Sequence, residues 1–270
     1  MPYKNKMDMH IHTDNSPDGE HTAMLMCEYA MNQGLRAIAI TDHCEVDLYH
    51  KDHFDRSLRQ SRFEAMKGRS VYTGCMIVLA GVELGQPTHD IAQANEIVSR
   101  CPLDIVLASV HNLEGEQDFY YLDYRERDPY PLMERYFGEV LDTVEWGGFD
   151  VLAHLTYPTR YICGRDGVPL DLTRFDDALE HILRRLAEQG KALEINTSGL
   201  RKGAEETIPS ARYVKRFREL GGEFITIGSD AHACGDVGAN VEDGMRIAFD
   251  AGFRHIALYN KHQPFLIDIG

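Results

Sequence analysis

Nearly every apolar run in this chain ends in a histidine or an acid, and that regularity limits what the chain can fold into. His10 and His12 close the first run. Asp42 and His43 follow Ala37 to Thr41, Glu83 follows Ile77 to Val82, and His111 follows Ile105 to Val110. His154 follows Val151-Leu152-Ala153, Glu194 lies inside Ala192 to Asn196, and Asp230 and His232 follow Phe224 to Ser229. Side chains so far apart in sequence meet only if the runs are parallel strands whose C-terminal ends converge on one face, the arrangement of an α/β barrel. His10 and His12 stand two apart, so on a strand both point to the same side.

The runs near 36–41, 77–82, 104–110, 150–153, 192–196 and 224–228 have the length and bounds of buried parallel strands, as do a shorter one before His10 and another at 255–259. Amphipathic segments separate them. The clearest is Thr173 to Gln189, with Thr173 placed as N-cap, Phe175, Leu179, Ile182, Leu183 and Leu186 at helical spacing, and Gly190 at the stop. Thr88 to Arg100, and Thr22 to Gln33 before Gly34, read the same way. Strand–helix alternation over seven or eight units, with no linker, low-complexity stretch or repeat, predicts one α/β domain across residues 1–270. Two connections, 44–75 and 112–131, are longer than a minimal barrel needs and follow ligand-bearing ends, which predicts lids or specificity walls.

A formal net charge of −15 argues against a broad nucleic-acid surface, because phosphate backbones are bound mainly through Lys and Arg. No stretch is apolar and long enough to span a bilayer, and the segment from Met1 to Lys6 lacks the features of a signal peptide. The six cysteines form no Cys-x-x-Cys pair and read as reduced thiols, which predicts a cytoplasmic enzyme with Cys44 and Cys234 as packing residues.

Imidazole and carboxylate together suit Zn, Mn or Fe. A carboxylate such as Glu83 has two oxygens with which to bridge two ions, and a hydroxide held between metals is a nucleophile at neutral pH. A single histidine at a strand end is more often structural than catalytic, so the signal is the whole set. Histidines 21, 50, 53, 89, 181, 255 and 262 fall outside the pattern and read as ordinary.

His10-Ile11-His12-Thr13, Thr41-Asp42-His43, Gly81-Val82-Glu83, Ser109-Val110-His111-Asn112, Ala153-His154 and Gly228-Ser229-Asp230-Ala231-His232 resemble, in order, the motifs of the polymerase and histidinol phosphatase (PHP) family. The resemblance implies a distorted TIM-like (β/α)7 barrel with a site for three divalent transition-metal ions, Zn, Mn or Fe. By motif, the first ion takes His10, His12, Glu83 and Asp230; the second shares Glu83 and adds His111 and His154; the third takes Asp18, His43 and His232. Asp18 stands where some family members have histidine, an exchange that keeps a ligand but alters metal preference. The segment from Ala153 to Tyr161 is similar to the histidinol-phosphatase branch, which implies hydrolysis of L-histidinol phosphate in histidine biosynthesis.

On that reading, hydroxide between the first two ions attacks phosphorus, and Arg160 and Arg201 are expected to clamp phosphate oxygens. The leaving alkoxide takes its proton from Asp230, His232 or a metal-bound water; Glu83 completes the catalytic set. Asp42, Glu194 and Asn196 are expected to orient ligands. The acids Glu114, Glu116, Asp118 and Asp123 and the aromatics Phe119, Tyr120, Tyr121 and Tyr124 are candidates for holding an ammonium and an imidazole. The predicted partner is a small phosphate ester, with no nucleic acid and no membrane. Rival readings are a phosphodiesterase with the same metals, a metal-binding protein without activity, and a barrel amidohydrolase.

Overall fold

The apolar runs become parallel strands. The computed structural model describes residues 3–203 and 205–270, so Met1 and Pro2 of the N-terminal segment lie outside the described residues. In chain order the elements are β1 (Met7–Ile11), α1 (Ala23–Asn32), β2 (Ala37–Ile40), β3 (His43–Glu45), α2 (Phe54–Val71), β4 (Ile77–Gly85), α3 (Ile91–Arg100), β5 (Ile105–Ser109), α4 (Pro129–Trp146), β6 (Val151–Leu152), α5 (Asp176–Glu188), β7 (Ala192–Asn196), α6 (Ala211–Glu219), β8 (Ile225–Gly228), α7 (Val241–Asp250), β9 (His255–Asn260) and β10 (Gln263–Asp268).

Seven strands follow one another in the sheet as β1-β2-β4-β5-β6-β7-β8, all parallel, with helices between them. The ring closes just beyond β8. The His12 N–H donates to the Ala231 carbonyl at 2.8 Å, and the Asp230 N–H donates to the His10 carbonyl at 2.8 Å. Asp8 reinforces the seam, accepting the Ser229 and Gly238 N–H groups at 2.8 Å each and the Ser229 hydroxyl. The result is a distorted, nearly closed seven-stranded barrel in one domain. Its closure bonds lie at the strand ends that carry the histidines.

β4 is long enough to pair twice. Its first half lies beside β2, from Ala37↔Ile77 to Ile40↔Ala80, and its second half beside β3, with His43 opposite Glu83 and Glu45 opposite Gly85. The chain bends between β2 and β3 at Thr41-Asp42, where the Glu83 N–H donates to the Asp42 carbonyl at 3.1 Å. Ile38, Ile40, Val78 and Ala80 cluster with Met26, Cys27 and Ala30 of α1 and Ala65 of α2. Strands covered in this way read as continuous apolar runs.

Three expectations need correction. Residues 255–259 form no barrel strand: β9 pairs antiparallel with β10 in a separate hairpin. The 44–75 connection is not an open loop, since residues 54–71 form the 18-residue helix α2, and α4 takes up the end of the 112–131 connection. Thr173 is not the cap of α5. A 3₁₀ turn precedes that helix, Asp171 accepts the Thr173 N–H at 3.0 Å, and the α-helix begins at Asp176.

His89, read as ordinary, forms part of a half-buried charge cluster where α3 begins. Its Nε2 lies 2.9 Å from Glu139 Oε2 and its Nδ1 lies 3.8 Å from Asp47 Oδ2. Burial opposes its charge, but Asp47 and Glu139 outweigh that and raise its pKa to about 9. A histidine with a raised folded-state pKa adds stability that is fully present below its unfolded value, about 6.5, and is lost as pH rises through the folded one. Urea denaturation should therefore show the wild type losing about 2 kcal/mol relative to His89→Gln between about pH 6 and pH 9.5. Parallel pH profiles for the two proteins would remove His89 from the cluster.

Candidate metal centre

The strand ends bring the predicted residues into one pocket, with Glu83 at its middle. Glu83 Oε1 lies 2.7 Å from His154 Nε2 and 3.2 Å from His111 Nε2. Its Oε2 lies 3.1 Å from His43 Nδ1, 3.2 Å from His10 Nε2 and 3.4 Å from His12 Nε2. Asp230 Oδ1 stands 3.5 Å from His12 Nε2, 3.6 Å from His232 Nδ1 and 4.0 Å from His10 Nε2. Asp18, on the loop after β1, reaches His232 Nε2 at 3.1 Å and His43 Nε2 at 3.7 Å. All nine predicted ligands thus meet.

Their buried polar atoms are unfinished. Among the described residues, His10 Nε2, His12 Nε2, His43 Nδ1, Glu83 Oε2, His154 Nδ1 and His232 Nε2 are buried and, close as several stand to a carboxylate oxygen, none has a partner at a hydrogen-bonding angle. A buried polar atom left so is costly, and buried groups are nearly always paired. Three sets, His10/His12/Glu83, His43/Glu83/His111 and His12/His43/His232, each offer ligand atoms within 4.8 Å of one another. The concentration of orphaned imidazole nitrogens around carboxylates fits a metal site, and the donor types suit a transition metal.

A layer of further contacts holds these side chains. Glu194 Oε1 sits 2.7 Å from His10 Nδ1, and its Oε2 accepts the His154 N–H at 2.8 Å and the Asn196 amide at 3.2 Å. Asp42 accepts the Thr13 N–H, both the Thr13 and Ser16 hydroxyls, and the Ser61 hydroxyl. Ser16 Oγ then lies 3.1 Å from His12 Nδ1. Glu194 thus stands directly behind the His10 ring, Asp42 behind His12 through Ser16, and Asn196 donates to the Glu194 and Asp230 carboxylates, contacts of the kind that orient candidate ligands. His154 and Asp230 both have positive φ, 21° and 55°, in a region that non-glycine residues rarely occupy. Such strain persists where the surroundings over-determine it; here the Glu194 carboxylate and the barrel seam do so.

The charges interlock. Burial raises the carboxyl of Glu83, but His10, His111 and His43 outweigh it and hold Glu83 well below the usual range. Asp230 is likewise held low against burial by Arg160 and His10. Burial, then His232 and His43, depress His12, whereas His111, despite burial, is raised to about 10 by Glu45 and Glu83.

Above the ligands opens a pocket of about 350 Å³ lined in part by Tyr120, Tyr157, Arg160, Tyr161, Arg165 and Lys202. Arg160 reaches it as predicted, but its Nη2 donates to Asp230 Oδ2 and to Ser198 Oγ, both at 2.5 Å. Arg201 is turned to the seam, donating to the Ser229 carbonyl at 2.8 Å and lying 3.5 Å from Asp236, and it does not line the pocket. Of the residues singled out in 112–131, only Tyr120 lines it. Glu116 pairs with Arg135, Asp123 with Arg125, and Asp118 caps its own turn. Arg165 pins that segment by donating to the Tyr120 and Leu122 carbonyls. Sequence reasoning missed Glu45, Arg165 and Lys202, none of which ends an apolar run. No helix among the described residues is long and apolar enough to cross a membrane.

A PHP domain model matches residues 8–198. A probable histidinol-phosphatase from Clostridium acetobutylicum is 29% identical over 255 residues, covering 92% of this chain and 95% of that protein. A histidinol-phosphatase from Lactococcus lactis is 27% identical over 261 residues, covering 94% of each. The crystal structure of histidinol phosphate phosphatase from Lactococcus lactis, complexed with zinc, L-histidinol and phosphate, superposes with a TM-score of 0.79 at 24% identity, covering 97% of this chain and 99% of that one. That likeness establishes the fold. A histidinol phosphatase fold from Listeria monocytogenes, described as putative, gives a TM-score of 0.73 at 20% identity over 88% of this chain.

Proposed function

The chain belongs to the PHP-domain family, and from that premise we propose that it is a metal-dependent phosphomonoesterase that hydrolyses L-histidinol phosphate to L-histidinol and phosphate. The observation that carries this reading is the ring of orphaned imidazole nitrogens around Glu83 and Asp230, opening on a pocket with cationic walls. His10, His12, Glu83 and Asp230 would hold one ion, Glu83, His111 and His154 a second, and Asp18, His43 and His232 a third, each Zn, Mn or Fe. When bound, such ions supply Lewis acidity: they acidify water to a nucleophile near neutral pH and offset charge on the phosphoryl oxygens.

The chain's own groups do the rest. Arg160 and Lys202 face the pocket and draw in a phosphate dianion whose charge the acidic surface would otherwise repel. Glu194 and Ser16 fix the rings of His10 and His12. Asp230 is held ionised and orients the site, so His232, 3.6 Å away, or water at the centre would give the leaving alkoxide its proton. The aromatic wall of Tyr120, Tyr157 and Tyr161 offers faces against which an imidazole or an ammonium packs. All six cysteines are free, which supports a reducing, cytoplasmic setting.

The test is phosphate release from L-histidinol phosphate by Mn- or Zn-loaded protein, beside a generic monoester and a phosphodiester, before and after chelation. The expected result is a kcat/KM for histidinol phosphate at least about a hundredfold above the others, lost on chelation and restored by metal. Comparable weak turnover of all three esters would discard the histidinol assignment and keep a phosphoesterase. Turnover that survives chelation would discard the metal.

A further inference from the structure

Resting on the metal-dependent reading, we propose that Glu45 is a positioning residue of this centre: its carboxylate fixes the His111 ring and stands against His43, tying together two groups of ligands. Glu45 ends β3, two residues beyond His43. Its Oε1 and Oε2 lie 3.0 and 3.3 Å from His111 Nδ1, and Oε1 lies 3.2 Å from His43 Nδ1. A carboxylate that accepts the Nδ1–H of an imidazole commits the other nitrogen to carry the lone pair, and it raises the basicity of the ring. In His111 that other nitrogen is Nε2, which faces Glu83 Oε1 at 3.2 Å, at the middle of the site.

The fold makes room for this carboxylate. Register places Glu45 opposite Gly85 on β4, and a Cβ at Gly85 would lie 1.8 Å from Glu45 Oε2 and 2.6 Å from its Cδ. A residue with a side chain at position 85 therefore evicts the carboxylate. The same device recurs elsewhere in the barrel. Glu194 meets His10 Nδ1 at 2.7 Å, and its neighbour is Gly228, where a Cβ would lie 2.2 Å from Glu194 Oε1. In both places an acid on one strand, a glycine on the next and the Nδ1 of a ligand histidine form one unit. Gly85 needs no positive φ, so the missing side chain serves space rather than a turn.

The experiment compares wild type, Glu45→Gln, Glu45→Ala, Gly85→Ala and the Glu45→Ala/Gly85→Ala double variant. Zinc affinity is read by chelator competition, and kcat and KM on L-histidinol phosphate after reloading. Glu45→Ala should lose about 10- to 100-fold in zinc affinity, the range typical of lost outer partners of metal-bound histidines. Its kcat should fall while KM stays within about twofold, because the carboxylate touches ligands and not the substrate pocket. Glu45→Gln keeps an oxygen for the Nδ1–H and should recover most of the loss. Gly85→Ala should match Glu45→Ala, and the double variant should be no worse than either single one, since both changes remove the same interaction. Wild-type zinc affinity and kcat in Glu45→Ala, or losses that add in the double variant, would overturn the role of Glu45 and leave the metal-dependent reading intact. A wild-type chain that takes up no zinc, manganese or iron would overturn both.

Discussion

Glu83→Gln lowers kcat by about a thousandfold or more and releases metal from the chain. The carboxylate lies within 3.4 Å of nitrogens on five histidines, 10, 12, 43, 111 and 154. Those neighbours hold it well below the usual carboxylate range against its burial, and the Ser109 hydroxyl donates to its Oε1 at 2.6 Å. Glutamine keeps the volume but replaces one oxygen with an N–H₂ donor and removes a full charge. A donor aimed at His10, His12 and His43 cannot share an ion with them. On the proposed metal-dependent reading, losing the Lewis acidity that an ion held by Glu83 would supply costs several kcal/mol, and about 4 kcal/mol corresponds to the thousandfold expected. Saturation kinetics and elemental analysis of the purified variant, with circular dichroism to confirm the fold, decide the matter. A variant that keeps wild-type kcat, or keeps its full complement of metal, removes Glu83 from the centre of the mechanism.

The strands and the candidate ligands were legible in the sequence for one reason: in a covered parallel barrel, polar side chains survive within or just after apolar runs only where they do something. Glu194 and Asn196 interrupt β7, and both face the site. Elements without that contrast stayed hidden. α2, Phe54–Val71, is largely polar, with Phe63 and Val71 exposed, so its apolar stripe is too thin to read. The β9–β10 hairpin turns through Lys261 and His262, both at positive φ (50° and 64°). Tight turns of that kind normally announce themselves with Asn-Gly or Asp-Gly. With Lys-His there instead, the run at 255–259 was indistinguishable from one more barrel strand. Glu45 was illegible because its meaning lies in Gly85, 40 residues on by number and adjacent only through β3–β4 register. Arg201 was read as a phosphate clamp from its position just past a strand end; its Nη2 donates to the seam carbonyl of Ser229, while its Nη1 is buried without a partner among the described residues.

Arg160→Ala lowers kcat/KM by about 10²- to 10³-fold, and Arg160→Lys recovers little of it. The arginine starts a π-helical turn, Arg160–Arg165, shortly after β6, and its side chain is 5% exposed at the pocket floor. One guanidinium nitrogen serves both Asp230 Oδ2 and Ser198 Oγ, while Nε is buried without a partner among the described residues. Tyr157 presents its ring face 4.9 Å from the guanidinium carbon. Arg160 is thus the largest favourable influence holding Asp230 ionised, and it still has donors free toward the pocket. Alanine removes both effects, and losing one preorganised donor to developing charge typically costs about 2.7–4 kcal/mol of transition-state stabilisation, which is the fold-change expected. Lysine restores a charge but not the planar fork that reaches Asp230, Ser198 and a phosphoryl oxygen together. The kinetic split separates the two roles. A rise in KM with weaker inhibition by phosphate assigns the free donors to the substrate, whereas a fall in kcat alone assigns Arg160 to the orientation of Asp230. Unchanged kcat and KM in Arg160→Ala would place the arginine outside the reaction altogether.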